Sequence, residues 1–140
     1  MLRPGSTSLE QLLVLTILGI LATLTLAGGA PLLEAAAVET AARESTALFA
    51  LARDHALSAG ERTAVHLDGA GGRVIVHAGP DTLATADFAE RGVHVAATRD
   101  SMAYAPDGLG LGGANLRLVL SRGARADTIM VSRLGRVEWR

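Results

Sequence analysis

Apolar residues fall into three successive patterns along the chain. No Asp, Glu, Lys or Arg occurs between Glu10 and Glu34, and the run Gln11 to Leu33 is almost wholly apolar or small. Roughly 20 such residues suffice to cross a bilayer as one helix. From Glu34 to Gly60 the apolar positions recur at helical period instead. Val38, Ala41, Ala42, Ser45, Phe49, Ala52 and Ala56 share one face, and Glu39, Arg43 and Asp54 take the other. Glu39 and Arg43 stand four residues apart, a spacing that favours an ion pair, and Gly60 is suited to end the helix. Pro31, just after Gly28 and Gly29, predicts a kink or local melting between the two helical stretches.

Beyond Gly60 the period shortens to two. Strands are predicted at 63–67, 73–77, 92–97, 115–121, 128–133 and 136–139, with turn signals at Asp68 to Gly72, Pro106-Asp107-Gly108 and Leu134-Gly135. Residues 78–91 are ambiguous between loop, short helix and strand. A hairpin pairing about the centre of its Gly-rich loop would set His66 opposite Val74 and His77 opposite Thr63. The expected fold is α+β: a long N-terminal helix whose second part covers the apolar face of a small antiparallel sheet or sandwich. Joined, the helical stretches would hold about 50 residues and reach on the order of 75 Å. The first half is therefore expected to protrude, into a membrane or a bundle of sister helices. The boundaries this implies are 6–33 for the hydrophobic helix, 34–60 for the amphipathic helix and 61–140 for the β domain.

Composition narrows the chemistry. Of 140 residues 49% are hydrophobic but only 3% aromatic, so Ala, Leu and Val carry the apolar content. There is no cysteine, which excludes disulfide scaffolds, thiol catalysis and cysteine-based metal sites. Six arginines between Arg117 and Arg140 face two acids, Asp127 and Glu138, a local charge of +4 that leaves −5 on residues 1–116. Such a basic face fits either an anionic partner or a solvated edge that resists unwanted strand pairing.

The four histidines lack HExxH spacing, and the predicted hairpin does not make His66 and His77 converge, so no metal is expected. Ser101 beside Asp100 has no nucleophile elbow and no evident base. Gly69 to Gly72 joins two strands without a following helix or lysine, so it is no phosphate loop. No catalytic constellation remains, and neither an enzyme nor a cofactor is expected.

Glu10 is the sharpest anomaly. A carboxylate at the edge of a membrane-length apolar segment is costly unless compensated. A cleaved secretory signal ending near Ala27-Gly28-Gly29 is one reading of the segment, but Glu10 interrupts the junction between Arg3 and the apolar run, and the helical pattern continues past Ala30. A plain membrane anchor would need Glu10 only as an interfacial cap on the helix N-terminus.

These residues resemble a type IV prepilin of the pseudopilin class. MLRPG is similar to the family's short leader ending in Gly, and Glu10 falls at the fifth position after it. Tyr104-Ala-Pro-Asp-Gly108 and Gly135-Arg136-Val137 resemble motifs of the H-type minor pseudopilins of type II secretion and the FimT-like minor pilins. Ser6 stands where the family has an aromatic residue, and Ser8 where an apolar one is common.

The resemblance implies a pilin-like fold and a leader, residues 1–5, cut by a membrane prepilin peptidase between Gly5 and Ser6. It also implies methylation of the Ser6 amine. Glu10 would then pair with that amine as subunits leave the lipid, and Gly19 with Thr16 and Thr23 would form a small-residue helix contact. The implied setting is single-pass in a bacterial inner membrane with the C-terminal domain in the periplasm. Implied partners are the peptidase, other minor and major pseudopilins or pilins, and the inner-membrane assembly platform. FimT-like relatives can also bind DNA in natural transformation through a Gly-Arg-x-Arg setting. Here Arg133, Arg136 and Arg140 are the candidate nucleic-acid contacts, with Glu138 where the second Arg would stand. Trp139 is expected to close the core rather than stack on bases.

Overall fold

The computed structural model describes residues 7–112 and 115–140. One helix, α1 (Ser8–Ala59), precedes nine strands: β1 (Thr63–Asp68), β2 (Arg73–Ala78), β3 (Asp81–Asp87), β4 (His94–Ala97), β5 (Ser101–Tyr104), β6 (Gly110–Leu111), β7 (Leu116–Arg122), β8 (Arg125–Val131) and β9 (Val137–Trp139). The chain divides into two compact units, Met1–Leu33 and Glu34–Arg140.

In the first unit every large apolar side chain from Leu9 to Leu21 is at least half exposed. A helix apolar on all sides has no wet face to offer, and α1 is long and apolar enough to cross a membrane. Helical assignment runs unbroken through Gly28, Gly29 and Pro31, so the local melting predicted there does not occur. A proline ring deletes one backbone donor, and the remaining bonds of the ladder keep the turn helical.

In the second unit the face read from the sequence is the buried one. Val38, Ala41, Ala42, Ser45, Phe49, Ala52 and Ala56 are buried, joined by Leu48, while Glu39 and Arg43 pair at 2.5 Å on the exposed side. The four alanines let the helix backbone lie close to the strands. Gly60 ends α1 with φ +66°, its N–H donating to the Ala56 carbonyl at 3.1 Å.

The strands form two antiparallel sheets, β3-β2-β1-β5-β6 and β4-β7-β8-β9. Alternation directs Val65, Leu67, Val74 and Val76 of the first inward, and Leu116, Leu118, Leu120, Ile129 and Val131 of the second. With the buried helix face these make one apolar core.

Three strands went unread in the sequence. The ambiguous segment 78–91 holds β3 and a 3-10 turn (Ala89–Arg91), and β5 and β6 lie in what looked like turn-rich chain. The hairpin register differs by one residue from that predicted: His66 faces Ile75, and His77 faces Ala64. Asp68 causes the shift. It pairs with Arg73, closing a four-residue loop, and its carboxylate accepts the Gly71 N–H at 2.8 Å and binds Arg73 at 3.1 Å. Those two bonds, the Gly71 one foremost, hold Asp68 below the usual carboxylate range.

Strand ends move for similarly local reasons. Gly92 is left-handed at φ +67° and caps the 3-10 turn, so β4 starts at His94 rather than Gly92. β8 stops at Val131 because Gly135 N–H donates to the Ser132 carbonyl at 3.0 Å and closes a turn. Trp139 was expected in the core but is 43% exposed at the edge of the second sheet.

Candidate assembly surfaces

Three places carry the sequence candidates. Glu10 occupies the first turn of α1, fully on the exposed surface, where the helix dipole favours a carboxylate. Gly5 and Ser6 lie outside the described residues. Along the same helix Thr16 and Thr23 each donate their hydroxyl to a carbonyl of their own helix, Leu12 and Ile20, at 2.8 Å. The Thr16, Gly19, Thr23 side is thus left without a free polar donor, and nothing lies within 4 Å of where a Gly19 side chain would begin.

The two short C-terminal motifs meet in space. The Ala105 to Leu109 turn and the Ser132 to Gly135 turn cross over α1, with Gly110 N–H donating to the Arg133 carbonyl at 2.8 Å. Gly108 and Gly135 both adopt φ +76°, and a side chain on Gly135 would start 2.6 Å from the Gly108 carbonyl. Arg53 of α1 reaches up and donates Nε to that same carbonyl at 3.1 Å. Beneath, Tyr104 is buried, its hydroxyl without a hydrogen-bond partner among the described residues, and burial pushes its pKa to about 12, Arg53 pulling partly the other way. Sequence reading missed Arg53, although a cation beside Ala52 and Ala56 on an otherwise apolar face is a usable signal. Leu109, Leu111 and Leu134 stand exposed around these turns.

The arginine candidates separate. Arg133 sits in the Ser132 to Gly135 turn, beside the exposed Leu109, Leu111 and Leu134. Arg136, Glu138 and Arg140 share the outward face of β9, and Glu138 pairs with both arginines, at 3.2 and 3.4 Å. Strand register adds a residue the sequence did not single out. Arg117 of β7 faces Met130 of β8, which faces Glu138, so Arg117 belongs to the same outer row. Its side chain has no partner among the described residues.

Among the described residues no cluster of three or more metal-ligating side chains occurs. His66 and His77 come to one outer face, diagonal to each other, but His77 hydrogen-bonds Thr82 at 3.2 Å, and His55 bonds Thr63 at the same distance. Ser101 is an exposed position of β5, paired with His66 across the ladder.

A long N-terminal helix, its later turns buried under two small antiparallel sheets, is a pilin-like fold. The family model described as Type II transport protein GspH matches residues 41–135, more than half of the chain, and the chain belongs to that family. No curated protein matches it in sequence. Solved structures share the fold. The type IV minor pilin FimU of Pseudomonas aeruginosa superposes with a TM-score of 0.64 at 15% identity, over 74% of this chain and 87% of its own. The minor pseudopilin EpsH from the Type 2 Secretion System of Vibrio cholerae gives 0.59 at 11% identity, over 74% and 95%. The chain is accordingly a GspH-type protein of type II transport with a pilin-like fold, whose N-terminal helix is long and apolar enough to cross a membrane.

Proposed function

We propose that residues 1–5 are a prepilin leader, that a prepilin peptidase cuts between Gly5 and Ser6 and methylates the new amine, and that Glu10 then pairs with this amine to set the subunit's stagger in a filament. The observation that carries the reading is Glu10 itself, alone at the edge of the uncharged stretch 11–33 of α1 and five residues past Gly5. A carboxylate entering an apolar helix bundle needs a cation. The α-amine of Ser6 supplies one at a distance a single helical turn spans. In this reading residues 6–33 cross the bacterial inner membrane once, and the domain of residues 34–140 works in the periplasm. The subunit serves the tip or initiating complex of a short pilus-like filament, with the inner-membrane assembly platform as a further partner and no catalytic role of its own.

The test is the intact mass and N-terminal sequence of the membrane-extracted chain, with and without a co-expressed prepilin peptidase. Peptidase-dependent loss of MLRPG with Ser6 first is the expected result. Cleavage near Ala30, or an untouched Met1, would leave only a secreted domain or a plain anchor.

Nucleic-acid contact through Arg133, Arg136 and Arg140 is the weaker second reading. Glu138 partly neutralises two of the three, and phosphate binding depends on accumulated free cations. Salt-sensitive DNA retention lost on Arg133→Ala with Arg136→Ala would support it.

A further inference from the structure

β9 is an edge strand. Arg140 exchanges both backbone bonds with Thr128 at 2.9 Å, and Ser132 N–H donates to the Arg136 carbonyl at 2.8 Å. Antiparallel ladders alternate, so Arg136, Glu138 and Arg140 point their backbone groups at β8, and Val137 and Trp139 point theirs away from it. No partner for those outward groups occurs among the described residues.

The side chains divide the same edge by chemistry. On the outer face Arg136 and Arg140, backed by Arg117 two strands in beyond Met130, outnumber Glu138 for a net charge of +2. On the inner side Val137 is half-buried and Trp139 half-exposed. Trp139 there borders a groove of about 320 Å³ lined by Ala35 and Val38 of α1 and Ala126 of β8, together with the charged Glu39, Arg125 and Asp127.

We propose that the β9 edge receives an extended segment of a partner subunit in which acidic and apolar residues alternate. Directly opposite residues in a sheet point to the same face, so a strand added here would set its side chains by β9's own alternation. Those opposite Arg136 and Arg140 meet cations, and those opposite Val137 and Trp139 meet the apolar residues of the inner side. Backbone bonds from Val137 and Trp139 supply affinity, and the two-faced pattern supplies selection. The proposal deepens the membership in a filament assembly and is independent of how the N-terminus is processed.

The experiment uses the full chain in detergent micelles and two short synthetic peptides of equal composition. One alternates Glu and Val; the other carries the same residues in two blocks. The alternating peptide is expected to shift and protect the Val137 and Trp139 amides in NMR spectra and to bind about tenfold more tightly than the blocked one. Val137→Pro, which removes an outward donor and leaves the β8 pairing, is expected to weaken it by about tenfold. Should that variant unfold, Arg136→Glu with Arg140→Glu provides the independent check, because preference must then move to a peptide alternating Lys and Val. Unperturbed edge amides, equal binding of both peptides, or retained preference in the charge-reversed variant would overturn the proposal. So would binding of a DNA duplex at this face that ignores Val137→Pro and competes with the peptide. Peptidase-dependent loss of residues 1–5 is read separately, so failure here and failure there are distinct results.

Discussion

Gly135 and Tyr104 show how much rests on single side chains, one missing and one sealed. The Gly135 backbone is left-handed, and a methyl group would collide with the Gly108 carbonyl that Arg53 binds. Gly135→Ala is therefore expected to cost about 2 kcal/mol or more, measured as a lowered urea midpoint. An unchanged midpoint would mean the crossed turns are loosely held. Tyr104 is the chain's one tyrosine, so its titration is directly visible in tyrosinate absorbance. Its folded pKa, about 12, lies above the ordinary 10.0, so folding favours the neutral phenol. The resulting stability is complete below about pH 10 and is lost as pH rises through about 12. A midpoint near the ordinary value in the folded chain would show that the ring reaches water.

Among the elements, the second half of α1 was the most legible, because one alanine-rich face persists over about five turns, from Val38 to Ala56. Ala52 is fully buried there and Ala50 exposed two residues away. Ala52→Leu is expected to overpack the core and cost about 1–3 kcal/mol, and Ala50→Leu to stay within about 0.5. Equal unfolding midpoints for the two would place the buried face wrongly. β7 was legible for the same reason, with Leu116, Leu118 and Leu120 alternating. β3 was not, since Ala84 and Ala86 are its inward residues and two alanines among threonines and aspartates make no readable period. β5 offers only Met102 and Tyr104, and β6 is two residues long. Hairpin register turned on a side-chain bond from Asp68 that hydrophobic pattern does not encode. Trp139 misled because a lone tryptophan in an apolar-rich chain reads as core. β9 is short and at an edge, so nothing lies beyond it to cover the ring.

For the molecule as a whole, the α+β plan was written in the order of three hydrophobic periods, the assembly role came only with the resemblance carried by MLRPG and Glu10, and the candidate site was legible only in part. Glu10 was visible as an isolated charge. The placement of Arg53 and Arg117 was not, because each depends on partners distant in sequence. Glu10→Gln keeps the size and removes the charge, so membrane insertion and the urea midpoint of the β domain should stay as in the native chain. Cross-linking into assemblies with other pseudopilins should be lost. Native-like assembly by this variant would sink the pairing role.

The unbroken passage of α1 through Gly28, Gly29 and Pro31 has a mechanical consequence. A rod under tension yields where its bonds per turn are fewest, and here the ladder lacks the Pro31 donor beside two glycines of poor helix propensity. Residues 28–31 would lengthen first under load, each gaining about 2 Å on passing from helical to extended backbone. In a force ramp on the single molecule this would register as a short reversible step below the force that opens the β domain, and Pro31→Ala would raise the force at which it occurs. The segment would then act as a spring, letting a loaded subunit stretch before it unfolds.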